Sequence, residues 1–240
     1  MLQYKYIGNQ LLNATFQFFC VKELFFYSLP LVPLVFLSFA NDKAIIYLLR
    51  DFISLTALAD YSFSTKLVAL LSLVFFALRM ALEPKVNHFV SFPHQDNFDQ
   101  FKKYINIYIV LSFALFFVFF ILAPYFQLYF FPDFTHSVDW SFILSISLIL
   151  LNLSTYVTPG FSIKKRMDIK LLIIIPQVIF NFVGFYLILE SGHGVTFALK
   201  YLVFINYIFL SIQHYFSNKL YKVSNEYLKL TALFSLVFVV

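Results

Sequence analysis

Charge is scarce in this chain. Asp, Glu, Lys and Arg make up 12% of its 240 residues, about half the share of an ordinary soluble domain. Cysteine is nearly absent: Cys20 stands alone, so neither an internal disulfide nor a cysteine metal cluster can form. Glycine occurs only five times, and no glycine-rich phosphate loop or dinucleotide fingerprint is present. His88, His94, His136, His193 and His214 are scattered, with no carboxylate at metal-ligand spacing. No nucleophile elbow occurs either. These absences point away from an enzyme and from any metal or organic cofactor. The formal charge of +5 forms no single basic patch. Its cations sit in short joints between apolar runs, so nucleic acid is not an expected partner.

What fills the chain instead is apolar. Ala, Val, Ile, Leu, Met, Cys and the aromatics make up 61% of it, against about 45–50% in soluble domains. A soluble fold of this size has no means of hiding so much apolar surface, so the lipid bilayer is the expected solvent. The fold class expected is all-α, a polytopic membrane helix bundle.

Six apolar spans follow one another, at about Leu24 to Ala40, Leu55 to Leu82, Tyr104 to Phe130, Ser141 to Thr158, Leu171 to Leu189 and Val195 to Phe216. Pro30 and Pro33 predict a kink or break in the first. A polar joint from Asp42 to Asp51 separates it from the second, and Glu83-Pro84 predicts where the second stops. Phe98, Phe101 and Ile105 recur at helical spacing behind Asp96, which reads as a capped helix lying on the membrane surface. Pro159-Gly160 predicts the end of the fourth span. In the fifth, Gln177, Asn181 and Gly184 share one helical face that suits helix packing better than lipid. The organisation expected is a cytoplasmic or interfacial lead-in (1–23), a six-helix transmembrane lobe (24–216), a cytoplasmic joint (217–229) and a truncated seventh segment (230–240).

Lys and Arg fall unequally on alternate joints. About twelve, among them Lys5, Lys22, Lys85, Lys102, Lys103, Lys164, Lys165 and Arg166, share one side; only Lys43 and Arg50 take the other. By the positive-inside rule the first set is cytoplasmic, which places the N-terminus inside.

Ionisable residues within spans carry the functional signal, because a charge at the bilayer centre costs at least about 2.5–3.5 kcal/mol. Lys66 lies roughly 18 Å along its helix from Ser54, a position suited to a bundle interior or a wet cavity; snorkelling is the plainer reading. Arg79 lies four residues before Glu83 and Lys200 near the start of its span, both within reach of an interface. Lys66, Arg79 and Lys200 are the candidate substrate-binding residues. Asp60, about four turns before the end of its helix, is placed to pair with a lysine on another span.

The run from Lys22 to Pro33 (KELFFYSLPLVP), then Asp42-Lys43, then Ser54 to Leu67 (SLTALADYSFSTKL) resembles the second half of bacterial polysaccharide exporters of the O-antigen flippase type. FPDFTHS and SIKKRMDIK resemble that family's outer Pro-Glu-Tyr turn and basic inner loop, so the likeness covers most of Lys22 to Lys222. Ser54 and Ala59 stand where the family has glycines, Asp60 where it has an apolar residue, and Gly192-His193-Gly194 shortens a later turn. The resemblance implies one lobe of a two-lobe exporter in the bacterial inner membrane. It implies a lipid-linked oligosaccharide, an O-antigen or polysaccharide repeat unit, as substrate and a separate N-terminal lobe as partner. Lys66 matches the family's Tyr-Ser-x-x-x-Lys-Leu lysine and would offer a counter-charge to the anionic lipid pyrophosphate. Two other expectations stand beside it: an inactive truncated half-transporter with a structural role only, and a membrane polymerase or glycosyltransferase of the same pathway.

Overall fold

A computed structural model describes residues 25, 28–29, 31–91, 95–134, 136–156 and 158–220. Every element among them is a helix: α1 (Leu31–Phe52), α2 (Leu55–Ser91), α3 (Gln95–Phe130), α4 (Ser137–Tyr156), the short α5 (Pro159–Ile163), α6 (Met167–Glu190) and α7 (Val195–Leu220). Five stretches are long and apolar enough to cross a membrane: Leu55–Phe89, Asp99–Phe130, Ser137–Ile163, Met167–Glu190 and Val195–Leu220. The first span expected at 24–40 falls partly outside the described residues. The lead-in at 1–23 and the segment at 221–240 lie wholly outside them, as do Pro30 and His94.

The helices are longer than the hydropathy joints suggest. α1 runs without interruption through Asn41, Asp42 and Lys43, and the chain turns only at Ile53 and Ser54. No glycine or proline stands at that joint, so nothing in the backbone chemistry interrupts the hydrogen-bond ladder. Pro33 sits in the first turn of α1, where its missing N–H costs no ladder bond. Glu83-Pro84 likewise does not stop α2. Its 37 residues, about 55 Å, carry Pro84 inside and end at Ser91. The segment expected on the membrane surface is the beginning of α3, a single helix of 36 residues. Its apolar face is taken by α2 rather than by lipid: Phe101 is 1% exposed, Ile105 is buried, and the Phe89 and Phe101 rings stack with centroids 4.0 Å apart. α2 and α3 thus form one long antiparallel hairpin that outruns a hydrocarbon layer of roughly 30 Å.

The packing closes a ring. α1 lies on α6, α6 on α7, α7 on α4, α4 on α2, and α2 touches α1 again, with α3 against the outside of α2 and α4. At the end holding Ser54, Ser137 and Gly194, all five ring helices meet in one core through Leu49, Tyr61, Trp140, Phe185 and Leu199. At the opposite end the core divides. One cluster joins α2, α3, α4 and α7 through Phe75, Phe116, Leu150 and Leu210. The other joins α5, α6 and α7 through Phe161, Ile173 and Phe209. Among the described residues no buried apolar cluster ties α2 directly to α6 there; the short α5 contacts both, at the end that carries Lys85, Lys103, Lys164 and Lys219.

Small residues let the helices approach. Gly160, at the start of α5, donates its N–H to Ser217 Oγ at 2.9 Å. Gly184 of α6 faces the Tyr201 ring of α7.

Candidate functional site

Two polar arrangements inside the apolar bundle have the chemistry of a site. The first is an amide cluster at the junction of α4, α6 and α7. Asn206 Nδ2 donates to Ser147 Oγ at 2.7 Å. Asn206 Oδ1 accepts from Gln177 Nε2 at 2.9 Å and from Asn181 Nδ2 at 3.1 Å. Gln213 Nε2 closes the group by donating to Gln177 Oε1 at 3.2 Å. All four amides are buried. Gln177 and Asn181 stand four apart on α6, while Asn206 and Gln213 stand seven apart on α7, so both helices present the set from one face. The arrangement binds helices: each amide replaces water with a neighbour's amide, and the junction is fixed in register. Two acceptors of the set, Asn181 Oδ1 and Gln213 Oε1, take no hydrogen bond among the described residues.

The second arrangement is cationic and lies at the end where the core divides. Arg79 of α2 and Lys170 of α6 are both half-buried, and Lys170 lies within electrostatic reach of the Arg79 charge. Arg79 approaches Glu83 at 4.0 Å, one turn along its own helix and with each side chain 41% exposed, so the pairing is weak. Nearby, Arg166 grips Asp168 with its guanidinium, at 2.9 Å from Nε and 3.0 Å from Nη2. That hydrogen bond holds Arg166 further above its ordinary pKa. Arg166 is thereby occupied, while no acidic side chain among the described residues lies within ion-pair distance of Lys170. Two like charges within electrostatic reach of each other, with one weak counter-ion, would attract an anion.

The three sequence candidates are not brought together. Arg79 belongs to the cationic pair. Lys66 is exposed, on the outward stripe of α2 shared by Leu70, Leu73, Ala77 and Met80. It faces away from this bundle's interior, and no acidic side chain among the described residues pairs with it. Lys200 is half-buried near the start of α7, at the closed end of the lobe. Asp60 is buried, at 7% exposure, yet forms no ion pair with a lysine among the described residues. Lys170 is the residue that sequence reading passed over, by counting it in the loop SIKKRMDIK when it is the fourth residue of α6. Asn206 and Gln213 were visible as two amides seven apart in an apolar run.

No family model, curated protein or solved structure matches the chain. The geometry therefore stands on its own: several apolar helices compatible with a multi-pass membrane protein, with one shared core at one end and a divided core at the other.

Proposed function

We propose that this chain is one lobe of a two-lobe membrane carrier that moves an anionic, lipid-linked oligosaccharide across the bilayer. The observation that carries the reading is the Arg79–Lys170 pair. Half-buried cations on two helices that part toward one end offer a counter-charge to a phosphate or pyrophosphate as it leaves water. Lys66 supports the two-lobe arrangement. A lone ammonium on an otherwise apolar outward stripe suits a face covered by a second lobe across a wet cavity, and suits acyl chains poorly. The resemblance of Lys22–Lys222 to the second half of O-antigen-type exporters supplies the substrate class. The positive-inside count favours a cytoplasmic position for the end that carries Lys85, Lys103, Lys164 and Lys219, and the resemblance supplies the bacterial inner membrane.

The test is complementation of a flippase-null strain with this chain and a co-expressed six-span N-terminal half. Surface polysaccharide should be restored, and R79Q and K170Q should each abolish most of it while the protein still accumulates in the membrane. Glu83→Gln should leave transport intact or raise it, since Glu83 competes for Arg79. Failure of the unmutated pair of halves to restore polysaccharide would count against transport.

A second reading, an inactive half with a structural role, draws on the Arg79–Glu83 contact, which partly neutralises the proposed anion site from within. Under it, R79Q and E83Q lower stability together and no polysaccharide appears under any pairing.

A further inference from the structure

Where α2 and α3 leave the lipid, a cavity of about 270 Å³ opens between them, lined by Pro84, Lys85, His88 and Phe89 of α2 and by Gln100, Phe101 and Tyr104 of α3. Its floor is the Phe89–Phe101 stack, closed to solvent on the far side. Its rim is polar, with the Lys85 ammonium, the His88 imidazole, the Gln100 amide and the Tyr104 hydroxyl.

The depth of this cavity can be read from the lipid-facing side chains. Among the described side chains, the last large apolar one exposed on α2 is Met80, and the first on α3 is Ile107. Lys85 stands five residues beyond Met80, about 7.5 Å, and Tyr104 three residues beyond Ile107, about 4.5 Å. Both offsets fall in the polar headgroup layer, which adds about 5–8 Å to each side of the hydrocarbon. Lys102 and Lys103 add positive charge on the same turns of α3; Asp99 and Glu83 are the acids nearest in sequence, and Glu83 is engaged by Arg79.

We propose that this cavity holds the phosphate of an anionic phospholipid headgroup, with Lys85 as its counter-charge, Tyr104 as a hydroxyl donor and the aromatic floor under the glycerol. The chemistry recognised is a phosphate group that carries negative charge and an apolar neighbour. A headgroup supplies both at this depth, whereas free phosphate supplies only the first. A basic pocket between helices at a membrane surface is a recurrent solution for such lipids. The site is separate from the Arg79–Lys170 pair and does not depend on the transport reading.

The full chain, purified in a neutral detergent, is titrated with phosphatidylglycerol or phosphatidylcholine, and bound lipid is counted by native mass spectrometry. Phosphatidylglycerol should bind at least about fivefold more tightly than phosphatidylcholine, the ratio that one lysine near the surface provides. Lys85→Gln, an exposed position whose loss disturbs no packing, should remove that preference, and Tyr104→Phe should weaken it. Lys164→Gln, an equal charge loss on another joint at the same end, should leave it unchanged. Equal losses in Lys85→Gln and Lys164→Gln would mean diffuse attraction and overturn the site. Displacement of the lipid by millimolar inorganic phosphate would overturn the headgroup assignment in favour of a soluble anion.

Discussion

Tyr201 lies across Gly184. Its hydroxyl donates to the Phe180 carbonyl at 2.9 Å, and a Cβ placed on Gly184 would fall 2.0 Å from that hydroxyl oxygen. The absent side chain is thus the room that the hydrogen-bonded ring occupies. Gly184→Ala should cost about 1–3 kcal/mol through overpacking, read as a lower midpoint of thermal unfolding in detergent. In a Tyr201→Ala background the ring is gone and the added methyl should cost nothing further. An undiminished cost there would remove overpacking as the cause.

Gly160 meets a harder obstacle. The Cβ position at this glycine is 2.2 Å from the backbone oxygen of Ser217, and a carbonyl within α7 cannot swing aside as a tyrosine can. Gly160→Ala should therefore destabilise by about 3 kcal/mol, at the top of the usual range for overpacking. Ser217→Ala should not rescue it, because the clash is with main chain. The two glycine variants, unfolded side by side, test that order.

Asn206 holds three partners at once, so its loss should be felt more than that of any other amide in the cluster. Asn206→Leu leaves Gln177, Asn181 and Ser147 each short of a bond and should cost about 1–3 kcal/mol. A single hydrogen bond between membrane helices averages about 0.6 kcal/mol, and Gln213→Leu, which breaks the hydrogen bond to Gln177, should fall near that smaller figure. Equal costs for the two variants would mean that packing volume, not hydrogen bonding, sets the stability of the junction.

The chain has one tryptophan, which makes the closed end directly observable. Trp140 Nε1 donates to Thr196 Oγ1 at 3.0 Å, joining the first turns of α4 and α7. Thr196→Val removes the acceptor while keeping the shape, and Trp140 emission should move to shorter wavelength as the indole loses its polar partner. An unchanged spectrum would show that the bond does not form in the membrane-embedded protein.

The all-helical class was legible from the apolar composition, and five helices long and apolar enough to cross a membrane are consistent with the lipid solvent it implies. The packing face of α6 was legible too: Gln177, Asn181 and Gly184 each meet α7. Helix ends were not. Asp42 and Glu83-Pro84 interrupt hydropathy, which reports where the chain meets water, whereas a helix ends where its backbone bonds find other partners. Nothing local supplies such partners at Asp42, and Pro84 removes one N–H from a helix already held by Phe89 against Phe101. The Arg79–Lys170 pair was only half legible, since the separation in sequence of 91 positions is bridged by the ring of packed helices and by no periodicity within either one.

Because α2 continues as one helix from Met80 through Pro84 to Ser91, whatever the rest of that helix does is repeated at its far end. A tilt of the α2–α3 pair by about 10° around the middle of a rod of about 55 Å would carry Ser91 sideways by about 5 Å. The hairpin is in that sense a pointer on a dial. A reporter placed at its tip, twelve residues beyond Arg79, would register the attitude of the lobe without touching that cation.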